Sequence, residues 1–129
     1  MVTTSHQYPQ YLYALLNTEA RQLSNGSWED IIETTYELKA ACREETNGKG
    51  ATIQTADGKT LVFASLIQIP KGTPRIDEGT EVIVTLEEVT VTQLLDKDFI
   101  ANAKASGLIV VRGTCQKYDF GRLHCRIWI

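Results

Sequence analysis

The sequence predicts an α+β fold: a small antiparallel β-barrel or bent sheet preceded by an N-terminal helical segment. Apolar residues keep a helical period before residue 50, and after residue 51 they occur in short runs separated by turns that contain glycine. A chain of 129 residues fits a single domain with one core. We divide it into an N-terminal helical part, 1–50, and a β-barrel or sheet part, 51–129.

Two helices are expected in the N-terminal part. Pro9 suits the first position of a helix from about Gln10 to Leu16. Ser27 is a suitable cap for a second helix that ends at Asn47-Gly48. The second helix has a single apolar stripe, so we expect it to pack on the sheet. That stripe consists of Trp28, Ile31, Ile32, Thr35, Leu38 and Cys42.

The β part contains strands at about Ala51–Ala56, Thr60–Ile69 and Glu81–Glu88, with Asp57-Gly58 as a hairpin turn. Asp96 caps a short helix over about 97–106 that stops at Gly107, and a hairpin closes the chain. This order, β-β-β-α-β-β, resembles that of an OB barrel, in which a helix links the third and fourth of five strands. The resemblance concerns element order only. The alternative is an open antiparallel α+β sheet with the long helix on one face.

The closing hairpin, Leu108–Ile129, allows a register to be predicted. A three-residue loop at Asp119-Phe120-Gly121, with Gly121 left-handed, pairs Tyr118 with Arg122 and Cys115 with Cys125. Side chains alternate between the two faces of a strand. The predicted core face carries Val111, Gly113, Cys115, Leu123, Cys125, Ile127 and Ile129.

The opposite face of this predicted hairpin is basic and aromatic. Residues 107–129 hold four Lys or Arg and a single acidic residue, Asp119, in a chain of net charge −3. Arg112 opposite Trp128 is expected to form a cation–π pair. The candidate binding residues are Arg112, Tyr118, Arg122, His124, Arg126 and Trp128.

These residues support two functional hypotheses. Cations bind phosphates and flat rings stack on bases, so the first is a module that binds single-stranded nucleic acid. The alternative is a non-enzymatic structural or assembly subunit that uses the same face or the sheet edges as a protein interface, including contact with a second copy. Arg, Tyr and Trp are enriched at the energetic centres of such interfaces. A ladder that only stabilises a solvated strand pair is the third possibility.

The sequence carries no motif for catalysis, a metal or a cofactor, and we expect none of these. In the predicted register Cys115 and Cys125 face the core while His124 faces away, which excludes one tetrahedral zinc ion bound by all three. The same geometry argues against a Cys–His nucleophile. Three cysteines form no disulfide framework, and no run of ~20 apolar residues or signal peptide is present. We therefore expect a cytoplasmic protein with no membrane contact.

Overall fold

The computed structural model describes residues 4–17, 21–22, 28–29, 34–55 and 57–129. This part of the chain is mainly antiparallel β-sheet with two helices. The strands are β1 (Gln10–Asn17), β2 (Arg21–Gln22), β3 (Trp28–Glu29), β4 (Thr34–Thr46), β5 (Thr52–Gln54), β6 (Thr60–Val62), β7 (Ser65–Pro70), β8 (Glu81–Thr85), β9 (Ile109–Thr114), β10 (Lys117–Phe120) and β11 (His124–Trp128). The helices are α1 (Val91–Leu94) and α2 (Lys97–Ser106).

Seven strands form one bent sheet in the order β10-β11-β7-β4-β1-β8-β9. Its two edge strands, β9 and β10, are separated in sequence only by Cys115 and Gln116. The amide of Cys115 donates to the carbonyl of Thr80, and the amide of Gln116 donates to that of Trp128, so the chain changes partner between neighbouring residues. No ladder joins β9 to β10 in the described residues, and the predicted closed, OB-like barrel is therefore not confirmed.

The long strand β4 connects the two halves of this sheet. Its residues 34–42 pair with β1, and its residues 43–46 pair with β7. One half therefore consists of β1, β8 and β9, and the other of β7, β11 and β10, with β4 shared between them.

A β-bulge interrupts the pairing of β4 with β1. Leu12 pairs with Ala40, but the next residue, Tyr13, pairs with Leu38, which leaves Lys39 as the extra residue. Because side chains alternate along a strand, an extra residue reverses which face the following side chains occupy. The two ends of β4 consequently contribute to different cores.

The inner core lies between the two halves of the sheet, and the outer core lies beneath the helices. The inner core contains Leu12, Ala14, Ala40, Cys42, Ile67, Ile69, Ile76, Val82, Val84, Cys115, Cys125, Ile127 and Ile129. The outer core contains Tyr13, Tyr36, Ile83, Leu94, Ala103 and Ile109. Residues before the bulge, such as Tyr36, belong to the outer core, whereas Cys42, beyond it, belongs to the inner core.

Local capping defines both helices. The Thr90 hydroxyl accepts a hydrogen bond from the amide of Gln93, whose side chain accepts one from the Thr90 amide, a complete capping box at α1. Asp96 caps α2, and Gly107 ends it with φ of 82°, both as predicted. No helix in the described residues is long and apolar enough to cross a membrane.

The predicted N-terminal helices are wrong wherever the structure describes their residues. The first is strand β1, and residues 34–42 of the second lie in β4. The predicted cap Ser27, with Ile31 and Ile32, lies outside the described residues. The bulge explains the error, because the four-residue spacing from Leu38 to Cys42 joins residues that belong to two different cores rather than to one helical stripe.

The elements after residue 51 are close to the prediction. The Asp57-Gly58 turn connects β5 to β6, although these form a separate two-stranded sheet. The predicted strand Thr60–Ile69 is divided into β6 and β7, and the third strand, predicted as Glu81–Glu88, ends at Thr85.

The core that the sequence predicts is confirmed in part; it consists of Trp28, Ile31, Leu38, Leu61, Phe63, Ile83, Phe99, Ile100, Leu123 and Ile127. Ile83 and Ile127 are buried, whereas Leu123 is 80% exposed. Five more of the expected core residues are half-buried: Leu38, Leu61, Phe63, Phe99 and Ile100. The side chain of Trp28 and the whole of Ile31 lie outside the described part of the chain.

Truncation of Ile127 should destabilise the protein strongly, whereas truncation of Leu123 should leave its stability almost unchanged. Ile127 is 0% exposed in the inner core, so Ile127→Ala should lower the free energy of unfolding by roughly 2–5 kcal/mol. Leu123→Ala should change it by no more than about 0.5 kcal/mol, because that side chain is in solvent. Urea denaturation of both variants measures the difference. Equal losses would contradict this assignment of the faces.

Candidate binding surface on the C-terminal hairpin

The C-terminal hairpin is formed by β10 and β11 alone. Lys117 pairs with Trp128 and Phe120 with Cys125, and the loop is residues 121–123. The predicted register, with Cys115 opposite Cys125, is wrong. The predicted first strand of that hairpin pairs instead with β8 at the far edge of the sheet. The observed register differs from the predicted one by an odd number of residues, which turns every β10 side chain to the other face.

Gly121 has a different role from the one predicted. It does not have a positive φ angle, so it is not the left-handed residue of the loop. A Cβ atom built at this position would collide with the carbonyl oxygen of His124. The hairpin therefore requires glycine at this position because two backbone segments approach each other closely, not because of a left-handed turn.

The outer side of this half of the sheet carries two rows of polar and aromatic side chains. Ser65, Ile67 and Ile69 on β7 point inward and are buried, so the alternate residues point outward. Pairing aligns Lys117, Trp128, Leu66 and Glu45 in one row and Asp119, Arg126, Gln68 and Arg43 in the other. We call this set, with His124, the outer hairpin face.

The structure brings three of the six predicted site residues together. His124, Arg126 and Trp128 lie on β11 with alternating spacing and share the outer hairpin face. Arg122 is exposed in the adjacent loop. The remaining two, Tyr118 and Arg112, lie elsewhere.

Tyr118 belongs to the other side of the hairpin. It pairs with Ile127, a residue of the inner core, and packs against that core. The guanidinium of Arg75 lies 4.9 Å from the centre of its ring, and its hydroxyl is 3.4 Å from the Cys125 sulfur. This hydrogen bond to Cys125, followed by burial, raises the pKa of Tyr118 to about 12.

Arg112 lies on β9, in the half of the sheet that the helices cover. Its guanidinium forms an ion pair with Glu81, with an N–O distance of 3.0 Å. The predicted cation–π pair with Trp128 is wrong because the two residues are on different strands that do not pair.

Two other cations contact Trp128. The ammonium of Lys117 lies 5.5 Å and the guanidinium of Arg126 5.6 Å from the centre of its ring. Arg126 also forms an ion pair with Asp119 at 2.5 Å. Lys117 and Asp119 are site residues that the sequence did not predict, because the wrong register placed Lys117 on the core side and Asp119 in the loop. The cationic surface is therefore present, but carboxylates are interleaved with its cations.

The end of the hairpin exposes two large apolar side chains. Phe120, the last residue of β10, is 63% exposed, and Leu123, in the loop that also carries Arg122, is 80% exposed. We call these three residues the hairpin tip. The two residues are close in sequence, and exposed apolar patches are typical of contact sites.

The three thiols are buried inside the protein. Cys42, Cys115 and Cys125 are free and buried. Burial, with a smaller contribution from Glu44, raises the pKa of Cys42 to about 12, and burial followed by the charge of Glu78 raises that of Cys115 to about 11. The described residues contain no group of three His, Cys, Asp or Glu arranged to hold a metal ion.

Comparison with known proteins adds no family. No protein-family model, no curated protein and no solved structure matches this chain.

Substitution of Gly121 should destabilise the hairpin. Gly121→Ala introduces the colliding Cβ atom and should lower the free energy of unfolding by about 1–3 kcal/mol. Gly48→Ala is the matched control, since a Cβ atom there meets nothing within 4 Å and its backbone is not left-handed. Thermal melting of both variants tests this. A Gly121→Ala protein as stable as the control would show that the close approach is absent.

The three thiols should react slowly in the folded protein. Thiolates react with disulfide reagents, and at pH 8 the raised pKa values keep Cys42 and Cys115 protonated, while Cys125 is fully buried. Unfolding exposes the thiols and returns their pKa to about 8.5, so all three should react rapidly with the disulfide reagent in denaturant. The absorbance of the thiol that the reagent releases, recorded at pH 8, measures the reaction rate of the native and of the denatured protein. Rapid reaction of the native protein would contradict the buried placement.

Proposed function

We propose that the protein is a non-enzymatic assembly subunit that associates with a second copy of itself through the hairpin tip and the outer hairpin face. The observation that carries this proposal is the combination of two exposed apolar side chains, Phe120 and Leu123, with a flank of alternating charge. Each part suits a protein contact, and both parts belong to the same β10–β11 hairpin.

The hairpin tip supplies the apolar anchors. The two-stranded ladder, which ends at Phe120 and Cys125, and the close approach at Gly121 hold the backbone on both sides of this loop, so little backbone freedom is lost on binding. A few such anchors provide most of the free energy of association in protein interfaces.

The outer hairpin face supplies self-complementary charge. Arg43, Lys117 and Arg126 are interleaved with Glu45 and Asp119. In a two-fold dimer the same patch meets itself, so a patch with both signs of charge places cations of one copy against carboxylates of the other. A face of a single sign would repel its own copy.

The same geometry disfavours the nucleic-acid hypothesis. Asp119 already neutralises Arg126, and Glu45 adds a second negative charge to the face that a phosphate chain would have to cross. A base stacking on Trp128 would displace Lys117 or Arg126 from the covered part of the ring. Nucleic-acid affinity depends on unpaired cations, of which this face has few.

The test is the mass of the protein in solution. Sedimentation velocity over a wide concentration range should show a monomer–dimer equilibrium. Replacing both anchors, Phe120→Ser with Leu123→Ser, should raise the dissociation constant about tenfold or more. The matched control replaces two exposed apolar residues elsewhere, Val62→Ser with Leu86→Ser, which are 62% and 52% exposed. This control should leave the dissociation constant unchanged.

Other outcomes would overturn the proposal. A wild-type protein that stays monomeric at its solubility limit excludes self-association. An equal effect of the control pair shows that the contact does not involve the hairpin tip. If the protein is monomeric but binds a labelled single-stranded oligonucleotide, and Arg122→Gln with Arg126→Gln reduces both the affinity and its salt dependence, the nucleic-acid hypothesis replaces ours.

A further inference from the structure

A groove lies between helix α2 and the outer core side of the sheet. Its volume is about 540 Å³, and ligand pockets typically span roughly 300–1,000 Å³. Strands β1, β4, β8 and β9 and both helices contribute to it. It shares no residue with the outer hairpin face.

One side of the groove is apolar. Leu15 and the ring of Tyr36 come from the sheet, and Leu94, Leu95 and Ile100 come from the helical segment. Leu94 is buried, whereas Leu95 is 48% exposed. The wall therefore runs from the outer core to solvent, which suits a ligand with an apolar body.

A polar network lies in the same groove. The Tyr36 hydroxyl donates to Glu81 Oε2 at 2.6 Å, and Arg112 Nε donates to Glu81 Oε1 at 3.1 Å. Glu81 is thus occupied by two donors. An arginine has five N–H groups, so Arg112 keeps further donors when it binds Glu81.

The charges that line the groove are mostly positive. Lys97 and Lys104 on α2 join Arg112, and Glu81 is the single carboxylate among the described lining residues. Neither lysine forms an ion pair within the described part of the chain. Three cations against one carboxylate give a local charge of +2 in a chain whose net charge is −3. An anionic group is the complement of this arrangement.

We propose that this groove binds a small organic anion with an apolar body, such as an aliphatic monocarboxylate. The carboxylate of the ligand pairs with Lys97, Lys104 and the free donors of Arg112, while its chain lies along Leu15, Leu95 and Ile100. Tyr36 and Glu81 hold the Arg112 guanidinium in place and are positioning residues. The proposal is independent of self-association, because the two surfaces have no residue in common.

Calorimetric titration with octanoate tests the site, with octan-1-ol as the neutral probe of equal chain length. Octanoate should bind with a stoichiometry of one. Lys97→Gln with Lys104→Gln should lower the affinity for octanoate about tenfold or more and leave the affinity for octanol unchanged. The matched control is Lys49→Gln with Lys71→Gln, which removes two exposed lysines that lie outside the groove and should alter neither affinity.

A second variant tests the apolar wall. Leu95→Ser should lower the affinity for octanoate and for octanol alike, because it removes contacts with the hydrocarbon chain of the ligand and leaves the cations intact. The melting temperature of each variant shows that it is folded. Absence of octanoate binding by the wild-type protein overturns the proposal, as does equal weakening by the control lysine pair. Undiminished octanoate binding by both groove variants places the ligand elsewhere and also overturns it.

Discussion

The extra residue at Lys39 is the constraint on which the rest of this structure depends. It lies in β4, the strand that both halves of the sheet share. A bulge reverses the faces of the residues that follow it and increases the local twist. Tyr36 can therefore pack beneath the helices while Cys42, on the same strand, packs between the two sheet halves. A regular strand of this length would leave one of these cores without its β4 side chains.

The connection between the two edge strands determines which strand the C-terminal hairpin uses. Only Cys115 and Gln116 separate β9 from β10, and they hydrogen-bond to opposite ends of the sheet. This short connection places β10 beside β11, which turns Lys117 and Asp119 outward and Tyr118 inward. The charge pattern of the outer hairpin face is therefore a consequence of the sheet topology and not of the hairpin sequence alone.

The two halves of the sheet offer different chemistry on their outer sides. The helices pack on the half that contains β1, β8 and β9, and the mixed charges and apolar tip of the hairpin half form the surface that we propose for self-association. The other half is covered by α1 and α2, and the cover is incomplete at the end that carries Glu81 and Arg112. Arg112 was grouped with the hairpin cations in the sequence, yet its ion pair with Glu81 assigns it to the groove.

The sequence by itself determined the features that depend on neighbouring residues: the turn at Asp57-Gly58, the Asp96 cap and the Gly107 stop. These signals act within a few residues, so distant contacts do not alter them. The Thr90–Gln93 capping box is an equally local signal. Only the tertiary structure decided that residues 34–42 form a strand and that Lys117 pairs with Trp128. Strand pairing joins residues that are far apart in sequence, and burial on both sides of a strand overrides helix propensity. The local pattern of residues therefore could not predict either the strand at residues 34–42 or this pairing.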